Sequence, residues 1–159
     1  MSELSGHLYI DGTYYSSRGH RVAVIDPATE DPIVEFAMAT SDEVELAVAA
    51  ARRAQREWWS LSALDRAAAL HRVADDLLAL APVVGECLTR EMGKPFRESN
   101  WEGGASASSF RYYAELARHE QGRLAGSAIA GQMHITMKEP LGVIVSIVPF
   151  NFPVLLFGW

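Results

Sequence analysis

Gly142 opens and Pro149 closes a run in which Ser146 is the only polar residue and Val and Ile predominate. A short apolar run bounded by turn signals reads as a strand covered on both faces. Strands of that kind belong to the parallel sheets of α/β domains, which sets the expected fold class. The next residues are Pro149, Phe150, Asn151, Phe152 and Pro153. Each proline fixes its own φ and pushes the residue before it toward extended backbone, so Val148 and Phe152 are restricted and Asn151 sits between two stiff points. A polar amide is thereby placed at the carboxyl end of a strand, where open α/β sheets bind their ligands.

Two readings of Asn151 follow. Asparagine tolerates left-handed backbone and bonds its own main chain, so on pattern alone a plain turn former is the commoner case. The sharper reading is an amide NH2 that donates to an oxyanion developing on a bound substrate, a contribution of several kcal/mol when the donor is preorganised (about 3–4 for one donor). Spacing and residue type do not separate the two.

A chain of 159 residues is one domain by default and long enough to bury a core. Hydrophobic residues at 49% and charged residues at 21% suit a globular protein in water. A net charge of −6 argues against nucleic acid or an anionic membrane surface as partner. One cysteine excludes an internal disulfide framework and fits a reducing compartment, and MSELSGHLYIDG has neither the basic nor the apolar region of a signal peptide, so a cytoplasmic location is expected. The apolar run after Gly142 is too short for a membrane span and is broken by two prolines and an asparagine. Val154 to Trp159 form an apolar tail that reads as an element cut midway.

Taken in order, Leu8 to Tyr15 carries Asp11-Gly12 between apolar and aromatic residues, a hairpin signal. Arg21 to Asp26 and Pro32 to Ala37 read as two further strands around the Pro27-Ala28-Thr29 turn. Thr40 with Glu43 makes a capping box ahead of a helix carrying Val44, Val48, Ala51 and Trp58. Ser62 with Asp65 starts a second helix, with an apolar face of Leu70, Val73, Ala74, Leu77, Leu78 and Ala81. Pro82 suits the first turn of a third, which Gly93 and Pro95 stop. A fourth is expected from Arg97 to Gly122, with Trp101, Ala105, Tyr112, Tyr113 and Leu116 inward, and the four helices are expected to cover one face of a sheet. Gly103 and Gly104 each cost about 1 kcal/mol inside a helix, which close packing or a kink would explain. Gln132 to Lys138 alternates apolar and polar residues, the mark of a strand with one solvated face.

Other candidate sites fare less well. Cys87 lies on the apolar face of a helix and reads as an inert small hydrophobe. The histidines at 7, 20, 71, 119 and 134 are scattered without ligand spacing, so no metal is expected. GGASAS, from Gly103, lacks both the spacing and the preceding strand of a phosphate-cradling loop.

The run EPLGVIVSIVPFNFP resembles the segment of the NAD(P)-dependent aldehyde dehydrogenase superfamily that carries its oxyanion-hole asparagine. DPAT at Asp26, EMGKP at Glu91 and FRYYAELA at Phe110 fall in the same order as in that family, so the resemblance covers nearly the whole chain. It implies an α/β fold in which residues 1–159 are the N-terminal portion of the cofactor-binding domain, with 7–15 and 132–138 in an oligomerisation sheet and the catalytic domain absent. In that family a cysteine thiolate attacks the aldehyde, hydride passes to NAD or NADP, and a glutamate-activated water releases the acid. By position, Asn151 would be the oxyanion donor, and Ile147, Val148, Pro149, Phe150 and Asn151 would line the nicotinamide side of the cofactor. The family more often has tryptophan before the asparagine, whereas Phe150 is shared with some subfamilies, semialdehyde dehydrogenases among them. The nucleophilic cysteine, the general-base glutamate and the adenosine-gripping residues have no counterpart here, so the chain is expected to be an N-terminal piece, inactive alone, of a homo-oligomeric enzyme acting on a small-molecule aldehyde. The alternative is a naturally short, non-catalytic paralogue that serves as an assembly module for a full-length partner.

Overall fold

A computed structural model of the chain describes residues 6–119 and 122–159. Asp11 and Gly12 both take left-handed backbone, at φ 53° and 77°, and this two-residue turn joins β1 (Leu8–Ile10) to β2 (Thr13–Tyr15) as an antiparallel hairpin. A second hairpin pairs β3 (Arg21–Ile25) with β4 (Pro32–Ala37). Its loop is held by Asp26, whose carboxylate accepts from the Ala28 N–H at 2.9 Å and whose carbonyl accepts from the Glu30 N–H at 2.8 Å. Both hairpins stand where their turn residues put them.

The capping box is also present. The Thr40 hydroxyl accepts from the Glu43 N–H and the Glu43 carboxylate accepts from the Thr40 N–H at 2.8 Å, starting α1 (Ser41–Ser60). Ser17 donates to the same carboxylate at 2.7 Å. That bond, followed by the one from Thr40, holds the Glu43 carboxyl below the usual carboxylate range.

After Ser62, which accepts from the Asp65 N–H at 3.1 Å, the structure departs from expectation. The second and third expected helices are one, α2 (Ala63–Met92), which runs through Pro82. A proline inside a helix costs about 3 kcal/mol locally, so packing must outweigh it. Ala67, Ala74, Ala81 and Leu88, seven residues apart, are all buried and form one continuous seam past the proline. Gly93, left-handed at φ 77°, ends the helix, and the Gly93-Lys94-Pro95 link sends α3 (Phe96–Arg118) back antiparallel along the seam.

Small residues let these helices approach closely. A Cβ on Gly103 would come within 2.9 Å of the Ala81 Cβ, so close packing, not a kink, accounts for that glycine. Gly104 meets only ordinary contact, 3.9 Å from Leu78. At Gly85 a Cβ would stand 2.8 Å from the Asn100 Cα, a backbone atom with little freedom to yield. Gly85→Ala is therefore expected to lower stability by about 1–3 kcal/mol through overpacking, although alanine is the better helix former; urea denaturation with an unchanged or raised midpoint would contradict it.

The same close approach corrects the expected inward face of α3. Its buried residues are Ser99, Glu102, Gly103, Ser106, Ala107 and Ala114, while Trp101 is 58% and Tyr112 64% exposed. Tyr113 and Leu116 are exposed too. Bulky side chains cannot enter a seam this narrow, so Trp101, Tyr112 and Tyr113 line an open cleft beside it with Leu155 and Trp159.

The helices also do not cover a sheet. Among the described residues the strands form three separate antiparallel pairs, the third joining β5 (Arg123–Ala125) to β6 (His134–Thr136). The strand expected from 132 to 138 is thus shorter, its partner β5 was not foreseen, and Ile135, on the face expected to be covered, is exposed. The run from Gly142 to Val148 is not a strand here. A covered strand needs neighbours for its backbone and both faces, and no described segment pairs with it; Val143, Ile144 and Val145 line a cleft with β1 and α1. The apolar tail forms α4 (Pro153–Gly158), whose Leu155 and Gly158 are buried against α3. Among the described residues no helix is long and apolar enough to cross a membrane.

Candidate active site

Pro149 and Pro153 bracket a turn at Phe150 and Asn151, and Pro153 begins α4. This loop does not stand free. Lys94, in the link between α2 and α3, and Glu102, two turns into α3, reach it from beneath, with side chains 5% and 0% exposed. Their charged groups meet at 2.9 Å. The Lys94 ammonium also donates to the main-chain carbonyl of Asn151 and stands 3.8 Å from the centre of the Phe152 ring. The second oxygen of Glu102 accepts from the Val154 N–H at 2.8 Å and the Leu155 N–H at 3.1 Å.

Local sequence explains the arrangement. Gly93 turns the chain sharply, so Lys94 falls under the loop and not on the helix surface. Glu102 lies on the face of α3 that carries Ser99, Gly103 and Ser106, where small neighbours leave room for a carboxylate. A buried ion is costly unless paired and hydrogen-bonded, and here each member has further partners. The Glu102 carboxylate supplies what α4 lacks: Phe152 at its N-cap provides no side-chain bond, yet two of the helix's first N–H groups are satisfied.

The Asn151 side chain behaves differently from its backbone. It is exposed, and among the described residues its amide has no hydrogen-bond partner. Asn151 does stand in a turn, and that turn is held by groups other than its own side chain. The four residues before it present an apolar strip, with Ile147 92% and Phe150 81% exposed and Val148 partly covered. The structure therefore places Ile147, Val148, Pro149, Phe150 and Asn151 in sequence along one exposed segment.

The remaining candidates lie elsewhere. Cys87 is half-buried on α2 and lines a separate cleft with Phe36, Val83 and Arg90. Glu91, in the same cleft, has its carboxyl pushed above the usual range by burial. Among the described residues no group of three or more His, Cys, Asp or Glu could hold a metal ion.

The model of the aldehyde dehydrogenase family matches residues 14–159. The chain belongs to that family. Peroxisomal aminoaldehyde dehydrogenase 1 of Malus domestica is 34% identical over 96% of this chain, and lactaldehyde dehydrogenase of Escherichia coli strain K12 is 33% identical over 95%. Among solved structures, an aldehyde dehydrogenase from Brucella melitensis biovar abortus superposes with a TM-score of 0.93 at 26% identity over 98% of the chain. A betaine aldehyde dehydrogenase variant from Staphylococcus aureus, in complex with NAD+, gives 0.91 at 29% over 99%. The chain spans about a third of each relative, 32% of the first two and 32–33% of the two structures. It is thus an incomplete aldehyde-dehydrogenase-like α/β unit. These matches do not favour the reading of a non-catalytic assembly module.

Reading the sequence for an aldehyde dehydrogenase motif found the asparagine and missed what holds it. Neither Lys94, within EMGKP, nor Glu102 carries a motif that marks it as a partner of the loop. The available signal is a glutamate on the small-residue face of the helix, three after Ser99 and directly before Gly103-Gly104, where a solvated carboxylate has no reason to be.

Proposed function

We propose that residues 1–159 are the N-terminal third of an NAD(P)+-dependent aldehyde dehydrogenase and supply its oxyanion donor, Asn151. The observation that carries this reading is the Asn151 amide, exposed and without a partner among the described residues, on a loop whose carbonyl is bonded by Lys94. A side chain without a partner among the described residues is free to donate outward, and its backbone anchor keeps it from swinging away. As negative charge develops on the substrate oxygen, the amide donates to it, an interaction stronger in the transition state than in the bound aldehyde.

The residues present fit one part of the cofactor. The exposed strip at Ile147, Val148, Pro149 and Phe150 suits van der Waals contact with a flat nicotinamide ring, which accepts the hydride when bound. The solved relatives in complex with NAD+ and with NAP support a dinucleotide there. The nucleophile is assigned to a cysteine outside these residues, since Cys87 lines another cleft. Residues 7–15 and 132–138, which hold the β1–β2 hairpin and β6, are assigned to contacts between subunits, as the resemblance implies, in an enzyme of the cytoplasm. The matched relatives are named for several aldehydes, aminoaldehyde, lactaldehyde and benzaldehyde among them, which supports a small-molecule aldehyde as substrate.

The test is a panel of aldehydes and semialdehydes supplied with NAD+ or NADP+ to the complete protein, followed by cofactor reduction. Turnover of at least one aldehyde is expected from the complete protein and none from residues 1–159 alone. A complete protein that binds no dinucleotide and turns over no aldehyde would overturn the reading.

A further inference from the structure

The buried pair Lys94–Glu102 is not part of the chemistry just described, yet its hydrogen bonds beyond the pair go to the loop that carries Asn151 and to the start of α4 that follows it. One ammonium bonds the Asn151 carbonyl and faces the Phe152 ring; one carboxylate bonds the Val154 and Leu155 N–H groups. The two ions bond each other at 2.9 Å. The backbone is thereby held at Asn151 itself and at two residues just beyond Pro153. We infer that Lys94 and Glu102 are positioning residues that set the direction of the Asn151 amide, and so tune kcat without touching substrate or cofactor. This inference rests on the oxyanion-donor reading.

The physical case is geometric. An exposed amide has only two side-chain torsions between its backbone and its donor hydrogens, so its aim follows the peptide plane. The prolines restrict φ at positions 149 and 153 but leave ψ free at both and both torsions free at Phe150 and Asn151. A charge-assisted bond to the Asn151 carbonyl fixes the peptide that the prolines do not. The cation is suited to this task because it is shielded from water on every side, at 5% exposure, and water cannot compete for the carbonyl. A misplacement of about 1 Å at a donor is enough to lose roughly 10²-fold in rate.

A structural role and a positioning role predict different results when both ions are removed together. Lys94→Met with Glu102→Leu replaces the pair by apolar groups of similar volume and leaves no buried charge without a partner. The double variant of the complete enzyme is expected to fold, to bind NAD+ or NADP+ with a Kd within about threefold of the parent, and to lose roughly 10²-fold in kcat. Amide hydrogen exchange at Val154 and Leu155 is expected to speed up by at least about tenfold, reporting the loosened loop without reference to turnover. Added to Asn151→Ala, the double substitution should cost less than about threefold more in kcat, because it acts through a side chain already gone.

A folded double variant with parental kcat would overturn the inference, and so would full additivity with Asn151→Ala. If the double variant does not fold, Glu102→Gln decides by the same readouts, since it keeps the volume and an acceptor for α4 while losing the charge opposite Lys94. Its kcat is expected to fall by at least about tenfold; unchanged turnover would sink the idea. Should Asn151→Ala itself leave kcat intact, it is the oxyanion-donor reading that fails, a separate result from parental kcat in the pair variants.

Discussion

Asn151→Ala, made in the complete protein, is expected under the proposed function to lower kcat by roughly 10²-fold or more while leaving the affinity for NAD+ or NADP+ nearly unchanged. The asymmetry comes from where the side chain stands. Its amide makes no bond within the described residues, so truncation removes nothing that holds the fold. Its carbonyl, which Lys94 does bond, belongs to the backbone and survives the substitution. On the oxyanion-donor reading, what is lost is a donor to an oxygen that gains negative charge as the transition state is reached, and such a loss falls on kcat and kcat/KM alike. Steady-state kinetics with direct cofactor titration separate the two quantities; an unchanged kcat would return Asn151 to the role of a turn residue.

Glu102→Leu alone carries the largest expected cost in stability. It strands the Lys94 ammonium at 5% exposure and deprives the Val154 and Leu155 N–H groups of their acceptor. Breaking a buried ion pair from one side costs about 3–5 kcal/mol because the remaining charge has no partner. Thermal unfolding of the complete protein should begin markedly earlier than in the parent. The companion change Lys94→Met should recover much of that loss, since it removes the stranded ion. A single variant as stable as the parent would mean that water reaches Lys94 readily, contrary to its burial.

The sequence was most legible where one residue decides one bond. Asp11-Gly12, Thr40 with Glu43, Ser62 with Asp65, and Gly93 each act through a local conformation or a single hydrogen bond, and each stands where expected. It was least legible where tertiary packing overrides a local preference. Pro82 looks like a helix start only while the seven-residue spacing of Ala67, Ala74, Ala81 and Leu88 goes unnoticed; burial of that seam outweighs the missing N–H. The aromatic residues of α3 were assigned inward by hydropathy, yet a seam set by Gly85 and Gly103 is too close for rings.

Gly142 to Val148 failed for another reason. A strand is a relation between segments, and a run of Val and Ile signals only readiness to be paired. The candidate site was half legible in the same sense. Asn151 announces itself by its proline brackets, but a salt bridge between residues 94 and 102 that grips residues 151, 154 and 155 is a product of the helix-to-helix turn.

The carboxylate of Glu102 has a consequence for how any dinucleotide could be held. Open helix starts attract phosphate because their N–H groups are unfilled and carry partial positive charge. At α4 those groups are already occupied by an anion from the protein itself, so the helix offers a diphosphate neither donors nor field. Were a dinucleotide to lie along this segment, as proposed, its uncharged ring would meet the apolar strip and its phosphates would need their counter-charge on a different element.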